Sequence, residues 1–312
     1  MTSPYERISF HNGSIEVVGN IYFPNDFAAD KTYPTIVLST PGSSVKEQIG
    51  ANYAERLAAK GYLALAFDPS YQGESGGEPR DLENPAMRVD DIRCTVDFLM
   101  TLPYVDEDRV GLLGICAGGG YAVKAALTER RFRAVGTVVA TDVGHAFRQM
   151  LSQNGVYDQL DAVGKQRTID ARGGAERREP WIPDSLEAAH AAGLSDPDLL
   201  SAVWFYRESQ WRNANSTNRI YFSSFGYMLG FDAFHLVPDL LVQPLQVIVG
   251  GRRGSTGQYE SGERLFNLAK GSKDFFVIDG AGHYDMYHQS DYLDQAVERL
   301  TLFYSEHLQT RT

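Results

Sequence analysis

One cysteine has the sequence context of a catalytic nucleophile. The stretch GLLGICAGGGYA, residues 111–122, begins with apolar residues typical of a buried strand and continues with small residues that favour a tight turn into a helix. In the pattern Gly-x-Cys-x-Gly, small neighbours allow a strained strand-to-helix turn to project Cys116 above a sheet without clashes. Because the N-terminus of a helix favours an anion, we also expect a lowered thiol pKa. The stretch therefore predicts a nucleophilic thiol.

Other interpretations of this glycine-rich turn are a closely packed structural turn and a phosphate-binding loop. A P-loop would have Lys followed by Ser or Thr after the glycines, and a dinucleotide fold would carry its glycine turn after the first strand of a repeat series. Neither pattern occurs in the sequence. We favour the nucleophile, and the structural turn stays open as the alternative.

The partners of such a nucleophile can be assigned from chain order. His283 lies in a glycine-rich turn after the last predicted strand, where this kind of fold places the general base. His288 is a weaker candidate for the same role. The backbone N–H groups of Ala117, directly after the cysteine, and of Ser43, in the turn after the third strand, are the expected donors to an oxyanion.

Alternating strands and helices are predicted to position these residues. The predicted strands cover residues 6–10, 14–23, 35–40, 62–67, 110–115, 134–141, 245–249 and 274–278. The predicted helices between and after them cover residues 45–60, 85–102, 118–127, 260–270 and 291–308. The first two strands form a hairpin. Strands separated by helices of this length imply a parallel sheet with right-handed crossovers.

The regular alternation breaks between residues 147 and 235. This segment holds all three tryptophans, several aromatic runs and a helix-like stretch at residues 185–192. We predict that it is a helical cap inserted into a core formed by residues 1–146 and 236–312. Its aromatic side chains could form the core of the cap or the contact of a homodimer, or they could line a substrate pocket.

The composition of the chain limits the classes of molecule that it is expected to bind. The chain has 312 residues, with 29 Lys and Arg against 40 Asp and Glu, and the net charge of −11 disfavours nucleic acid and anionic membrane surfaces. The sequence has no signal-like start and no apolar run that spans a bilayer, so we expect a cytoplasmic protein. Cys94 and Cys116 are too few for a disulfide framework. No clustered metal ligands stand out, and no cofactor is expected.

Four segments carry a resemblance to a known family: PGSSVKEQ, GYLALAFDPSYQGESGGEPR, RVGLLGICAGGGYA and GAGHYDMY. The chain resembles α/β-hydrolases of the dienelactone-hydrolase-like branch, which often have cysteine at the nucleophile turn, and is similar to polyketide transferases and thiohydrolases. The resemblance implies an α/β-hydrolase fold, with a mostly parallel eight-stranded sheet flanked by helices and an inserted cap. It implies hydrolysis of a small acyl substrate, an ester, lactone or thioester, through an acyl-enzyme on Cys116. Acyl transfer or cyclisation at the same site, and a catalytically silent binding protein, are the alternatives.

The resemblance also exposes a missing residue. The family places the acid that orients the histidine after the seventh strand, yet the stretch GGRRGSTGQY has no Asp or Glu before Glu260. Asp142, at the end of the preceding strand, is the expected substitute. The alternatives are that Asp142 only caps the following helix, that Glu260 is the acid, or that Cys116 and His283 work as a dyad.

Overall fold

The computed structural model describes residues 5–309. Its strands are β1 (Tyr5–Asn12), β2 (Ile15–Tyr22), β3 (Tyr33–Ser39), β4 (Leu63–Phe67), β5 (Val105–Ile115), β6 (Phe132–Val138), β7 (Arg178–Pro180), β8 (Arg219–Tyr221), β9 (Leu245–Gly250) and β10 (Lys273–Ile278). Eight of them form one sheet in the order β1-β2-β4-β3-β5-β6-β9-β10. The pairs β1–β2 and β2–β4 are antiparallel and the others are parallel, which confirms the predicted mostly parallel sheet.

Helices lie on both faces of this sheet. They are α1 (Ala51–Ala59), α2 (Pro85–Leu99), α3 (Ala117–Ala126), α4 (Val143–Ala171), α5 (Leu186–Ala191), α6 (Pro197–Val203), α7 (Ser224–Leu229), α8 (Val237–Leu240), α9 (Gln258–Leu268), α10 (Asp285–His288) and α11 (Ser290–His307). There are also two π-helical turns. Lys46–Gly50 directly precedes α1, and Trp204–Glu208 directly follows α6. No helix among the described residues is long and apolar enough to cross a membrane.

The inner strands β3, β4, β6 and β9 are buried on both faces, which explains their nearly continuous apolar sequences. Side chains that alternate along β3 point to opposite sides: Val37 packs with Ile92 of α2, and Leu38 packs with Leu57 of α1 and Leu300 of α11. Two apolar cores therefore hold the helices against the sheet. The carboxyl ends of the parallel strands meet at one edge, and the turns at that edge are fixed by this packing.

The segment between β6 and β9 contains the part of the chain where alternation was predicted to break. Its largest element, α4, begins at Val143, so the predicted start of the inserted segment at residue 147 falls inside a helix rather than between elements. The helix is kinked at Ser152, where φ is 59°. The short strands β7 and β8 pair antiparallel within the same segment.

Candidate active site

Cys116 occupies a strained turn between β5 and α3. Its φ of 55° and ψ of −126° lie in a region that L-residues rarely adopt, as the predicted nucleophile turn requires. The neighbouring glycines make the turn possible: a Cβ on Gly118 would lie 2.1 Å from the carbonyl oxygen of Ser39, and a Cβ on Gly114 would lie 2.5 Å from Cα of Gly119. The pattern that the sequence shows around this cysteine is thus a steric requirement of the turn.

Cys116 faces a cavity of about 160 Å³, which we call the elbow cavity. The core contributes Cys116, Ala117, Pro41, Gly42, Ser43, Thr141, Val143, Ala146, Tyr284 and Tyr287 to its lining, and residues 147–235 contribute Phe147, Trp181, Ile182, Tyr206 and Asn218. Trp181 packs directly on the turn after β3, since a Cβ on Gly42 would lie 3.4 Å from its ring. The segment 147–235 therefore forms the apolar wall that faces the nucleophile turn.

The electrostatic environment of the thiol is mixed. Burial raises the pKa of Cys116, while the Tyr287 hydroxyl, the Ala117 N–H, the Thr141 hydroxyl and the Arg88 guanidinium favour its ionised form. The expectation of a lowered pKa is wrong, because desolvation of the thiolate outweighs the helix N-terminus and these donors together. At neutral pH the resting group is therefore the thiol, and it must lose its proton when it reacts.

His283 lies in the turn between β10 and α10, as chain order predicted. It is 1% exposed, and its Nε2 is 3.1 Å from the Tyr287 hydroxyl oxygen. Its Nδ1 is buried and has no hydrogen-bond partner within residues 5–309. Burial lowers the pKa of His283 to about 4, and the charge of Asp198 acts in the opposite direction. The imidazole is therefore neutral at pH 7 and can accept a proton.

The structure does not bring either predicted acid to His283. Asp142 caps α4 by accepting a hydrogen bond from the N–H of His145 at 3.3 Å, and its other oxygen pairs with Arg264 at 3.0 Å. Glu260 is exposed and pairs with Arg253 at 2.8 Å. Assigning Asp142 to the orientation of His283 is therefore wrong, because the first turn of α4 and Arg264 hold this carboxylate. The capping alternative describes its position.

Asp198 is the carboxylate whose field reaches His283. It lies in the first turn of α6, within the segment 147–235, and is 6% exposed. Its Oδ2 accepts hydrogen bonds from the N–H and the hydroxyl of Thr256, at 3.1 and 2.9 Å. Thr256 belongs to the loop after β9, which is where the family resemblance placed the missing acid. The inserted segment thus delivers a carboxylate to the loop that lacks its own.

The two residues predicted to supply the oxyanion donors line the same cavity as Cys116. Ser43 and Ala117 both line the elbow cavity beside the sulfur. Ser43 has a φ of 58°, and its carbonyl accepts a 2.7 Å hydrogen bond from the hydroxyl of Ser216, so the strained turn is held from the inserted segment. On the other side, the buried Arg88 donates to the carbonyls of residues 40 and 41. The turn that carries Ser43 is therefore held from both sides.

We compared the sequence with models of known protein families. The chain matches the alpha/beta hydrolase family over residues 45–299, well over half of its length. The chain belongs to the alpha/beta hydrolase family. Membership agrees with the eight-stranded sheet and with the strand-to-helix turn at Cys116.

Two of the similar proteins match nearly the full length of this chain. The protein YcjY of Escherichia coli (strain K12) is 36% identical over 309 residues, 97% of this chain and 99% of the relative. The crystal structure of hypothetical protein PA2218 from Pseudomonas aeruginosa has a TM-score of 0.84 at 27% identity, covering 98% of this chain and 95% of that chain. Thiohydrolase aneE of Aspergillus aculeatus is 27% identical over 225 residues, covering 70% of this chain and 69% of the relative. The first two matches include residues 147–235 as well as the core.

Two residues of the site were missed by sequence reasoning. Asp198 carries only the signal of an ordinary helix start, with Asp196 as N-cap and proline at the first helical position. Tyr287 follows His283 by four residues, a spacing that a helical turn brings to one face, and this signal was visible in GHYDMY. His288, the weaker candidate for the base, instead hydrogen-bonds the Tyr284 carbonyl at 2.9 Å and stacks near Trp204.

Proposed function

We propose that this alpha/beta hydrolase family member cleaves small thioesters, esters or lactones through a covalent acyl-enzyme on Cys116. The observation that carries the proposal is the strained Cys116 in the elbow cavity, with Ser43 and Ala117 at the same cavity and a neutral histidine in contact with Tyr287 of its lining. A nucleophile, a proton acceptor and oxyanion donors are the parts that acyl transfer requires. The name of thiohydrolase aneE supports the thioester class.

The chemistry follows from the positions of these groups. Cys116 loses its proton toward His283 and attacks the acyl carbon, while the N–H groups of Ser43 and Ala117 stabilise the oxyanion of the tetrahedral intermediate. The leaving thiol or alcohol takes up the proton that His283 holds. Water then attacks the acyl-enzyme by the same route in reverse, which releases the acid and restores the thiol.

Asp198 is the residue we assign to supporting His283. Its negative charge favours the imidazolium that forms when the proton arrives, and Thr256 holds the carboxylate beside the loop after β9. Orientation of the imidazole by a buried carboxylate is the role of the third member of a catalytic triad. The unpartnered Nδ1 of His283 is the atom available for such a contact.

The elbow cavity limits the acyl group. Its volume of about 160 Å³ is close to that of a cavity that holds one benzene molecule. Trp181, Phe147 and Ile182 make the wall largely apolar. We therefore propose a short or single-ring acyl group rather than a long fatty chain, bound by apolar contact with its carbonyl carbon above Cys116.

Acyl transfer is the second candidate. The aromatic wall from residues 147–235 limits the access of water to Cys116, which favours another nucleophile as the acceptor of the acyl group. The first half of the reaction is the same in both cases. The two functions differ only in whether water or a second substrate releases the acyl-enzyme.

Intact-mass measurement tests the proposal. The protein is mixed with a panel of short activated thioesters, esters and lactones, quenched within one turnover, and weighed. We expect an acyl adduct that peptide mapping assigns to Cys116 in the wild-type chain and in Cys94→Ala. A folded protein that gives no adduct with any member of the panel would instead support the silent binding protein.

A further inference from the structure

Tyr287 stands between the two residues on which the proposed reaction depends. The elbow cavity is lined by Cys116 and Tyr287 but not by His283. The hydroxyl oxygen of Tyr287 lies 3.1 Å from Nε2 of His283, and across the cavity that both side chains line, this hydroxyl favours the ionised form of Cys116. Across residues 5–309, His283 makes its side-chain hydrogen bond to Tyr287 and none to Cys116. Tyr287 is therefore the side chain that both contacts His283 and shares the elbow cavity with Cys116.

The surroundings of Tyr287 keep its hydroxyl in this position. The side chain is fully buried, and its ring packs against Phe205 at 5.3 Å and against Tyr284 at 5.0 Å between centroids. Tyr287 lies on α10 and His283 in the turn that leads into it, and the hydrogen bond between them joins the helix to this turn. A ring held on both sides cannot move aside without disturbing the cavity wall.

We propose that Tyr287 is a catalytic residue that relays the proton of Cys116 to His283; this inference rests on the proposed function. As the sulfur attacks, the S–H bond breaks and its proton passes to the phenol oxygen. At the same time the O–H bond of Tyr287 breaks and that proton passes to Nε2 of His283. The products are a sulfur bonded to the acyl carbon, a neutral phenol and an imidazolium. The leaving group later receives a proton from Tyr287 while Nε2 returns its proton to the phenol.

The two transfers must occur together. Burial raises the pKa of Tyr287 well above its ordinary value, so a phenolate does not persist as an intermediate. Both ends of the relay are supported by charge: the Arg88 guanidinium and the Ala117 N–H favour the thiolate, and Asp198 favours the imidazolium. Tyr287 thus carries protons in both directions while remaining neutral.

Single-turnover acylation tests the relay with a matched pair of variants. Tyr287→Phe removes the relay hydroxyl, and Tyr53→Phe removes another buried hydroxyl, which donates to the Met286 carbonyl at 3.1 Å and so supports the same helix. With phenyl thioacetate as the probe, we expect acylation of Cys116 to slow by about 10²-fold or more in Tyr287→Phe and by less than about twofold in Tyr53→Phe. Melting temperatures verify that both variants fold.

A second measurement needs no substitution. In mixtures of H₂O and D₂O, the acylation rate of the wild-type protein should depend on the deuterium fraction along a curve, because two protons move in one step. A straight line, or a Tyr287→Phe variant that acylates at the wild-type rate, would overturn the relay while leaving the acyl-enzyme intact. A wild-type protein that forms no acyl adduct on Cys116 would overturn the proposed function, and the relay with it.

Discussion

The loops of the core and the inserted segment contribute different things to the same cavity. The core supplies the proposed reacting groups, Cys116, His283 and two backbone N–H groups, on turns whose shape is fixed by glycine and by strand ends. The segment 147–235 supplies Trp181 and the other apolar walls, together with Asp198. Under the proposed function, the core would determine which chemistry is available, while the insertion would determine how the base is supported and which acyl groups fit.

The largest expected effect is the loss of activity on replacing the proposed nucleophile of the core. Cys116→Ala should reduce thioester turnover by about 10⁴-fold or more, because the covalent route is lost and only the oxyanion donors remain. Cys94→Ala is the matched control, since Cys94 lies half-buried on α2 and away from the elbow cavity. Release of free thiol measures both rates. Equal activity of the two variants would show that Cys116 is not the nucleophile.

The burial of the base gives a prediction about pH and stability. A histidine whose pKa is about 4 in the folded protein and 6.5 when unfolded stabilises the fold above pH 6.5, and this contribution is lost as the pH falls through the folded value. The difference corresponds to about 3 kcal/mol of unfolding free energy between pH 6.5 and 4. Urea unfolding of wild type and His283→Gln across this range measures it. A parallel pH dependence in both proteins would show that His283 is not buried in its neutral form.

The contribution of the insertion is tested at its carboxylate. Asp198→Asn should lower kcat by about 10²-fold, because the amide keeps the shape but removes the charge that supports the imidazolium. Asp142→Asn is the control: asparagine caps a helix as well as aspartate, so kcat should stay within about threefold of wild type. Steady-state kinetics on one thioester compares them. A larger loss of kcat in Asp142→Asn than in Asp198→Asn would indicate that the supporting carboxylate is Asp142 of the core.

The smallest expected effect comes from the apolar wall that residues 147–235 contribute to the elbow cavity. Trp181→Ala should enlarge the elbow cavity and shift the ratio of kcat/KM for hexanoyl against butyryl thioesters by about tenfold toward the longer chain. Trp204→Ala is the control, because Trp204 is not in the cavity lining and packs edge-on against Trp211 and at a tilt against His288. An unchanged ratio in Trp181→Ala would mean that the acyl group does not contact this wall.

The contrast between the two regions also describes what could be predicted from the sequence. The sheet, the strained turn at Cys116 and the place of His283 were predicted, because Gly114, Gly118 and the strand pattern encode local geometry directly. The lowered thiol pKa was wrong, because burial of Cys116 depends on side chains that the fold brings from far along the chain. Local sequence determines the turn but not its solvent exposure.

The insertion was harder to predict for a physical reason. The helix α4 buries few residues, among them Val143 and Val163, so its sequence lacks the apolar period that reveals a helix. Asp198 acts on His283 only because α6 packs against the loop that contains Thr256. A functional carboxylate placed by packing between two distant segments leaves no spacing signal, which explains the mistaken assignment of Asp142.

The central claim is that this fold makes one of its two thiols reactive. Competitive alkylation measures this directly. The wild-type protein is treated at neutral pH with an amount of iodoacetamide smaller than the amount of its thiols. Peptide masses then give the relative rate of alkylation at each cysteine. We predict that Cys116 reacts at least about tenfold faster than Cys94, because His283 can accept the thiol proton during attack, and that His283→Ala abolishes this preference. Equal rates at Cys116 and Cys94 in the folded wild-type protein would contradict the account.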